Sequence, residues 1–147
     1  MAGPVAAKPS PEEAERIIDY YFGGKDDGPL LVSAKVCADI HREGELKNEC
    51  TREFIDNRVP MGEPFYLWMK YVVPVDSPPT NLLVQLNFQG ITLQTLDVTV
   101  APSIRYRTWK RVVLEKPGTW EVKMLHDRGD RLEVLGENVI NVVDSAE

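Results

Sequence analysis

Histidine and cysteine are scarce in this chain, at two residues each. His41 and His126 stand at no meaningful spacing from a Ser or Cys, and acid–base work needs both geometry and a tuned pKa, so both are expected at the surface. The same two histidines with Cys37 and Cys50 show no zinc-type spacing. Asp26-Asp27-Gly28 and the pair Asp127 and Asp130 are too sparse for a calcium loop, which needs about six or more oxygens in order. Phe22-Gly23-Gly24-Lys25 lacks the second half of a phosphate loop or a dinucleotide fingerprint. No apolar run approaches the roughly 20 residues of a membrane span. Residues 1–11 also lack the apolar core of a signal peptide, which leaves a cytosolic chain or an exported one whose leader is gone. A basic excess is missing too: the formal charge is −6. That argues against nucleic acid, whose binders need a basic face to release counterions from phosphate. The expectation from these absences is a protein with no enzyme activity, no cofactor and no metal.

What the sequence does contain is one domain's worth of alternating apolar residues, 43% of the 147 being hydrophobic. Residues 103–125 dominate, with two of the three tryptophans. They read as two strands joined at Pro117-Gly118. Ile104, Tyr106, Val112 and Leu114 share one parity, and Arg105, Arg107, Trp109 and Arg111 the other. A loop with an odd number of residues would set Trp120, Val122 and Met124 beside Val112 and Leu114 on one hairpin face, and a strict two-residue loop would set them beside Val113 and Arg111 instead; the odd loop is the expected one.

Ser10-Pro11-Glu12-Glu13 is a helix start, Gly23-Gly24 a stop, and Ala14, Ile17, Ile18 and Tyr21 the stripe between. From Leu30 onward strands follow one another: 30–40, a charged edge strand at 47–55, a central strand at 65–75, then 82–88, 91–100, the two already described, and 131–143. Seven to eight strands with turns every 8–12 residues predict an all-β, antiparallel sandwich with one short N-terminal helix. Residues 1–28 form the helix and linker, and 29–147 the sandwich.

With a hairpin turn centred between Glu43 and Gly44, Cys37 falls opposite Cys50. Directly opposite Cα atoms lie about 4.5–5.5 Å apart, within reach of a disulfide. The bland alternative is two small buried thiols. The matched register favours the bridge, and with it an oxidising compartment.

Tyr66-Leu67-Trp68, Tyr106-Arg107-Thr108-Trp109 and Gly118-Thr119-Trp120-Glu121-Val122, taken in order with Cys37 and Cys50, resemble a bacterial family of domains of unknown function, number twenty-nine fourteen in its series. The resemblance covers about residues 30–143 and leaves the helix outside. It implies an exported or membrane-tethered, immunoglobulin-like sandwich, a periplasmic accessory or binding domain that brings no catalytic residue with it.

One ligand face stands out: Arg105, Arg107, Trp109 and Arg111. Three guanidiniums and an indole pointing outward suit carboxylates or phosphates, with Trp109 stacking on a sugar or an Arg. Two alternatives are an ordinary solvated face with cross-strand ion pairs, and a bulge near Thr108 that turns Trp109 into the core. Trp68 and Trp120 are expected in the core. Arg128-Gly129-Asp130 matches an adhesion tripeptide, but it also has the composition of a hairpin turn. The leading reading is a non-catalytic, exported or periplasmic interaction module. It docks on a protein partner and leaves room for a membrane tether in a longer gene product. The rival is a glycan-binding module for an acidic cell-wall polymer.

Overall fold

A computed structural model of the chain describes residues 10–144. Ser10 caps α1 (Pro11–Gly23), its Oγ accepting from the Glu13 N–H at 3.2 Å, and the Gly24 N–H closes the helix onto the Tyr20 carbonyl at 2.7 Å. The half-buried stripe is Ala14, Ile17, Tyr20 and Tyr21. Ile18, expected in that stripe, is 45% exposed. At 100° per residue it falls to one side of the line that Tyr20 completes.

Nine strands follow: β1 (Leu30–Ile40), β2 (Cys50–Glu53), β3 (Arg58–Pro60), β4 (Phe65–Val73), β5 (Thr80–Phe88), β6 (Ile91–Val100), β7 (Ser103–Val112), β8 (Gly118–Asp127) and β9 (Leu132–Val143). They form one sheet in the order β2-β1-β4-β7 and a second in the order β3-β9-β8-β5-β6. Among the described residues only the short pairing of β3 with β9 is parallel. The links β4–β5, β6–β7 and β7–β8 each change sheet. With β2 and β3 as short additions, this is the wiring of an immunoglobulin-like sandwich. Tight turns join the hairpins: Gln89 and Gly90, with φ of 51° and 79°, make the two-residue loop between β5 and β6.

Inward residues of both sheets make the core. Leu67, Met69, Tyr71 and Val73 of β4 meet Leu82, Val84 and Leu86 of β5 and Trp120, Val122 and Met124 of β8. Trp120 is 2% exposed, and its Nε1–H donates to the Lys116 carbonyl at 2.9 Å, so the indole is buried without stranding its donor. β4 is apolar on both parities because its outer side is covered as well. There Cys37, Ile40 and Trp68 form a second cluster, with Cys50, Tyr66 and Trp109 packed against it.

Four expectations need correction. First, β7 and β8 are not a hairpin: they lie in different sheets. Val112, Leu114, Trp120, Val122 and Met124 do share one apolar cluster, but across the sandwich rather than along one face. Alternation says which side of a strand is buried, not which strand stands beside it. Second, the Cys37–Cys50 disulfide is present with Cα atoms 5.8 Å apart, yet the register differs. Cys50 faces Ile40, and Cys37 faces Glu53. The ladder runs on through His41 and Glu49, so the turn is longer than expected, and an irregularity between Cys37 and Ile40 brings the sulfurs together. Third, the charged edge strand is only Cys50–Glu53, and β3, unforeseen, follows a 3-10 turn at Ile55–Asn57. Fourth, His126 is buried, not superficial.

The linker after α1 accounts for that histidine. Gly28 packs on the ring so closely that a Cβ there would lie 2.9 Å from His126 Cε1. Tyr20 Oη donates to the Gly28 carbonyl at 2.6 Å, and Arg128 donates to the Asp26 and Asp27 carbonyls and to Glu133. Residues 128–130 therefore form the turn of the β8–β9 hairpin, with Arg128 turned back onto the linker.

Candidate functional site

The outer face of the four-stranded sheet gathers the basic and aromatic residues. Its rows follow from the register of β1, β4 and β7. Cys37 stands beside Tyr66 and Arg111, then Lys35 beside Trp68 and Trp109, then Ser33 beside Lys70 and Arg107. Successive rows along a strand are about 6.8 Å apart, two residues on. The β4–β7 register is unbroken from Phe65 to Tyr71, so no bulge at Thr108 turns Trp109 inward.

Of the four residues expected to form a ligand row, two are committed to the fold. Arg107 Nη1 donates to Glu49 Oε1 at 2.9 Å and to the Lys47 carbonyl at 3.0 Å, and both side chains of the ion pair are mostly buried, at 17% and 13% exposed. Trp109 keeps its outward parity but is half-buried. Residues 41–49 pack over this end of the face, with the Trp68 Nε1–H donating to the Asn48 carbonyl at 2.6 Å. The Arg42 guanidinium lies 5.3 Å from the Trp109 ring centre and 5.5 Å from that of Tyr66. The indole therefore already stacks on a cation from its own chain. Trp68 is buried as expected, but in this outer cluster rather than between the sheets.

Arg105 and Arg111 are exposed. Among the described residues neither side chain has an ion pair or hydrogen bond. The same holds for Lys70, a single charge inside the apolar run of β4. Lys70 is half-buried, and burial holds its ammonium below the usual lysine range. Glu49 pulls it back up, while Lys35, Arg105 and Arg107 push it further down. Among the described residues, Arg105 and Arg111 thus lack a direct partner, and the acid that acts on Lys70, Glu49, is already bonded to Arg107. The available signal was parity: Lys70 is the one charge in β4, two positions from Trp68 on the outward side. α1 contacts β4 and β7, and Val72, outward like Lys70, is buried at that end. The helix thus lies at the Lys70 and Arg105 end, and residues 41–49 cover the Trp68–Trp109 row that separates these two cations from Arg111.

Elsewhere, a shallow groove of about 720 Å³ on the five-stranded sheet is lined by Asp56, Glu121, Lys123 and Glu137 among others. None of its lining residues is a buried titratable group. No group of three or more His, Cys, Asp or Glu is placed to hold a metal among the described residues. No helix among them is long and apolar enough to cross a membrane.

No family model matches the chain, and no curated protein does. Among solved structures it is similar to the CARDB domain of the PF1109 protein from Pyrococcus furiosus, seen in complex with di-metal ions. That match is at 13% identity and a TM-score of 0.43, over 80% of this chain and 96% of that one. The solution NMR structure of the same domain matches at 12% identity, with a TM-score of 0.43, over 79% and 96%. A third match is the Pseudomonas fluorescens alkylpurine DNA glycosylase AlkC bound to DNA, at 11% identity and a TM-score of 0.41, over 78% of this chain and 30% of that one. At such scores the likeness carries no argument about function.

Proposed function

We propose that the protein is a non-catalytic interaction module of an oxidising, exported compartment, and that it holds an acidic segment of a protein partner on the outer face of its four-stranded sheet. The observation that carries this is that Lys70, Arg105 and Arg111, all on this face, have no ion pair or hydrogen bond among the described residues. A half-buried ammonium whose nearest acid, Glu49, is already bonded to Arg107 is costly, and an incoming carboxylate offsets its desolvation and the repulsion from Lys35, Arg105 and Arg107. Exposed guanidiniums add bidentate capture of carboxylates. The disulfide supports the compartment. A protein partner is favoured over a glycan because the ring that would stack on a sugar, Trp109, is half-buried and engaged with Arg42.

A titration of an oligo-glutamate peptide, followed by calorimetry beside an oligogalacturonate, tests this reading. Binding to the peptide should weaken with salt. It should fall at least ten-fold in the variant carrying Lys70→Ala, Arg105→Ala and Arg111→Ala, at near-native stability. Equal binding by variant and wild type removes the face as the site. Binding of the galacturonate alone moves the reading to the glycan.

A further inference from the structure

The two sheets end on four edges: β2 and β7 in one, β3 and β6 in the other. Edge strands expose unpaired main-chain groups, and folded proteins blunt them with shortness, charge or proline. β2 has four residues, including Arg52 and Glu53; β3 has three and ends on Pro60; β7 carries Arg105, Arg107, Lys110 and Arg111. β6 has little of this. Its ten residues, ITLQTLDVTV, include no proline and one charge, Asp97. Ile91 and Leu93 on it are 63% and 42% exposed.

We propose that β6 pairs antiparallel with β6 of a second copy of this chain, about a two-fold axis at Leu96, and so joins two five-stranded sheets into one of ten strands. The main chain presents the right groups. Tyr106 Oη donates to the Thr99 carbonyl at 3.3 Å from the neighbouring sheet, so the main-chain groups of Thr99 face away from β5. In an antiparallel strand a residue's N–H and C=O point to the same side, and the side alternates. The register with β5 is unbroken from Val100 to Gln94, which turns Thr95 and Asp97 to the free edge as well.

The side chains then select the partner. With the axis at Leu96, Thr95 stands opposite Asp97 of the second copy and the reverse, and these pairs exchange main-chain bonds. Leu93, at the β5–β6 register break, faces Thr99, whose carbonyl keeps its bond from Tyr106, so the main-chain bonds are those of Thr95 and Asp97. On the inward side Leu96 meets Leu96 and Gln94 meets Val98. Each Asp97 carboxylate finds a hydroxyl, and like charges are kept out of opposite positions, where they destabilise a ladder. Shifting the axis to Thr95 sets Asp97 against Leu93 instead. An isologous pair also closes the assembly, since both open edges are consumed and the ten-stranded sheet ends on the short, proline-bearing β3 at either side.

Analytical ultracentrifugation of the full chain from 5 to 500 μM decides it. The wild type should approach twice the 16.6 kDa chain mass at the upper end. Thr95→Pro removes an N–H that faces the free edge, so it should fold yet remain a monomer. Leu93→Lys should raise the dimer dissociation constant at least ten-fold, and it carries the decision if the proline variant fails to fold. A wild type that stays at one chain mass throughout overturns the proposal and leaves the edge to a strand from another protein. A dimer that both variants leave intact overturns it too, by placing the interface elsewhere.

Discussion

Arg105 and Arg107 stand two positions apart on the same side of β7, yet their surroundings separate them. Arg107 sits against Glu49 with little exposure on either side, whereas Arg105 has no partner among the described residues. Urea unfolding should therefore show Arg107→Ala losing about 1.5–3 kcal/mol, the scale for hydrogen bonds to charged groups. Arg105→Ala should stay within about 0.5 kcal/mol. Equal losses would mean that the Arg107–Glu49 contact contributes nothing. Parity alone was enough to put both arginines outward. It was blind to Glu49, because that acid arrives on a loop whose path depends on the β1–β2 register. Lys70 was hidden for another reason: inside an apolar run its single charge looks like noise until both neighbouring strands are known.

At the scale of elements, caps and turns were the most legible features, because their signals are local. Ser10, Pro11 and Gly24 mark the ends of α1 where the structure has them. Long-range placement was not legible. The β7–β8 link looked like a hairpin because two apolar parities matched, and the same match serves strands that face each other across a core. The Cys37–Cys50 bridge came from a register three residues off, and it formed because an irregular strand end tolerates that offset. Replacing both cysteines by alanine should cost about 3 kcal/mol, the chain-entropy value for a loop near this length, and should loosen residues 41–49 over Trp109. No change in the urea midpoint would contradict that.

The clasp between linker and hairpin makes a pH prediction. Burial, reinforced by Arg128, holds His126 below the ordinary histidine pKa, against the opposing pull of Glu133 and Asp127. Its Nδ1 has no partner among the described residues. The unfolded chain takes up the proton near pH 6.5 and the folded one only at lower pH. Stability is therefore full above about 6.5 and is lost as pH falls toward the folded value. Thermal unfolding should show a falling Tm between pH 7 and 5.5, above the range where carboxylates dominate, and His126→Gln should flatten that slope. An unchanged slope would mean that Gly28 does not seal the ring. Nothing in the sequence told this histidine from His41, since its burial depends on a glycine far away in the chain.

On the scale of the whole molecule, the sandwich was legible because period-two alternation persists from Leu30 to Val143 with turn residues between the runs. What composition concealed is segregation: a chain of net charge −6 turns Lys70, Arg105 and Arg111 to one side of one sheet. The central claim is that this strip holds carboxylates. Amide chemical-shift mapping of the folded protein during titration with oligo-glutamate at low salt tests it most directly. The account predicts saturable shifts centred on Lys70, Arg105 and Arg111 in β4 and β7, fading as salt is raised. Shifts centred on the five-stranded sheet, or none on β4 and β7 at saturating peptide, would contradict it.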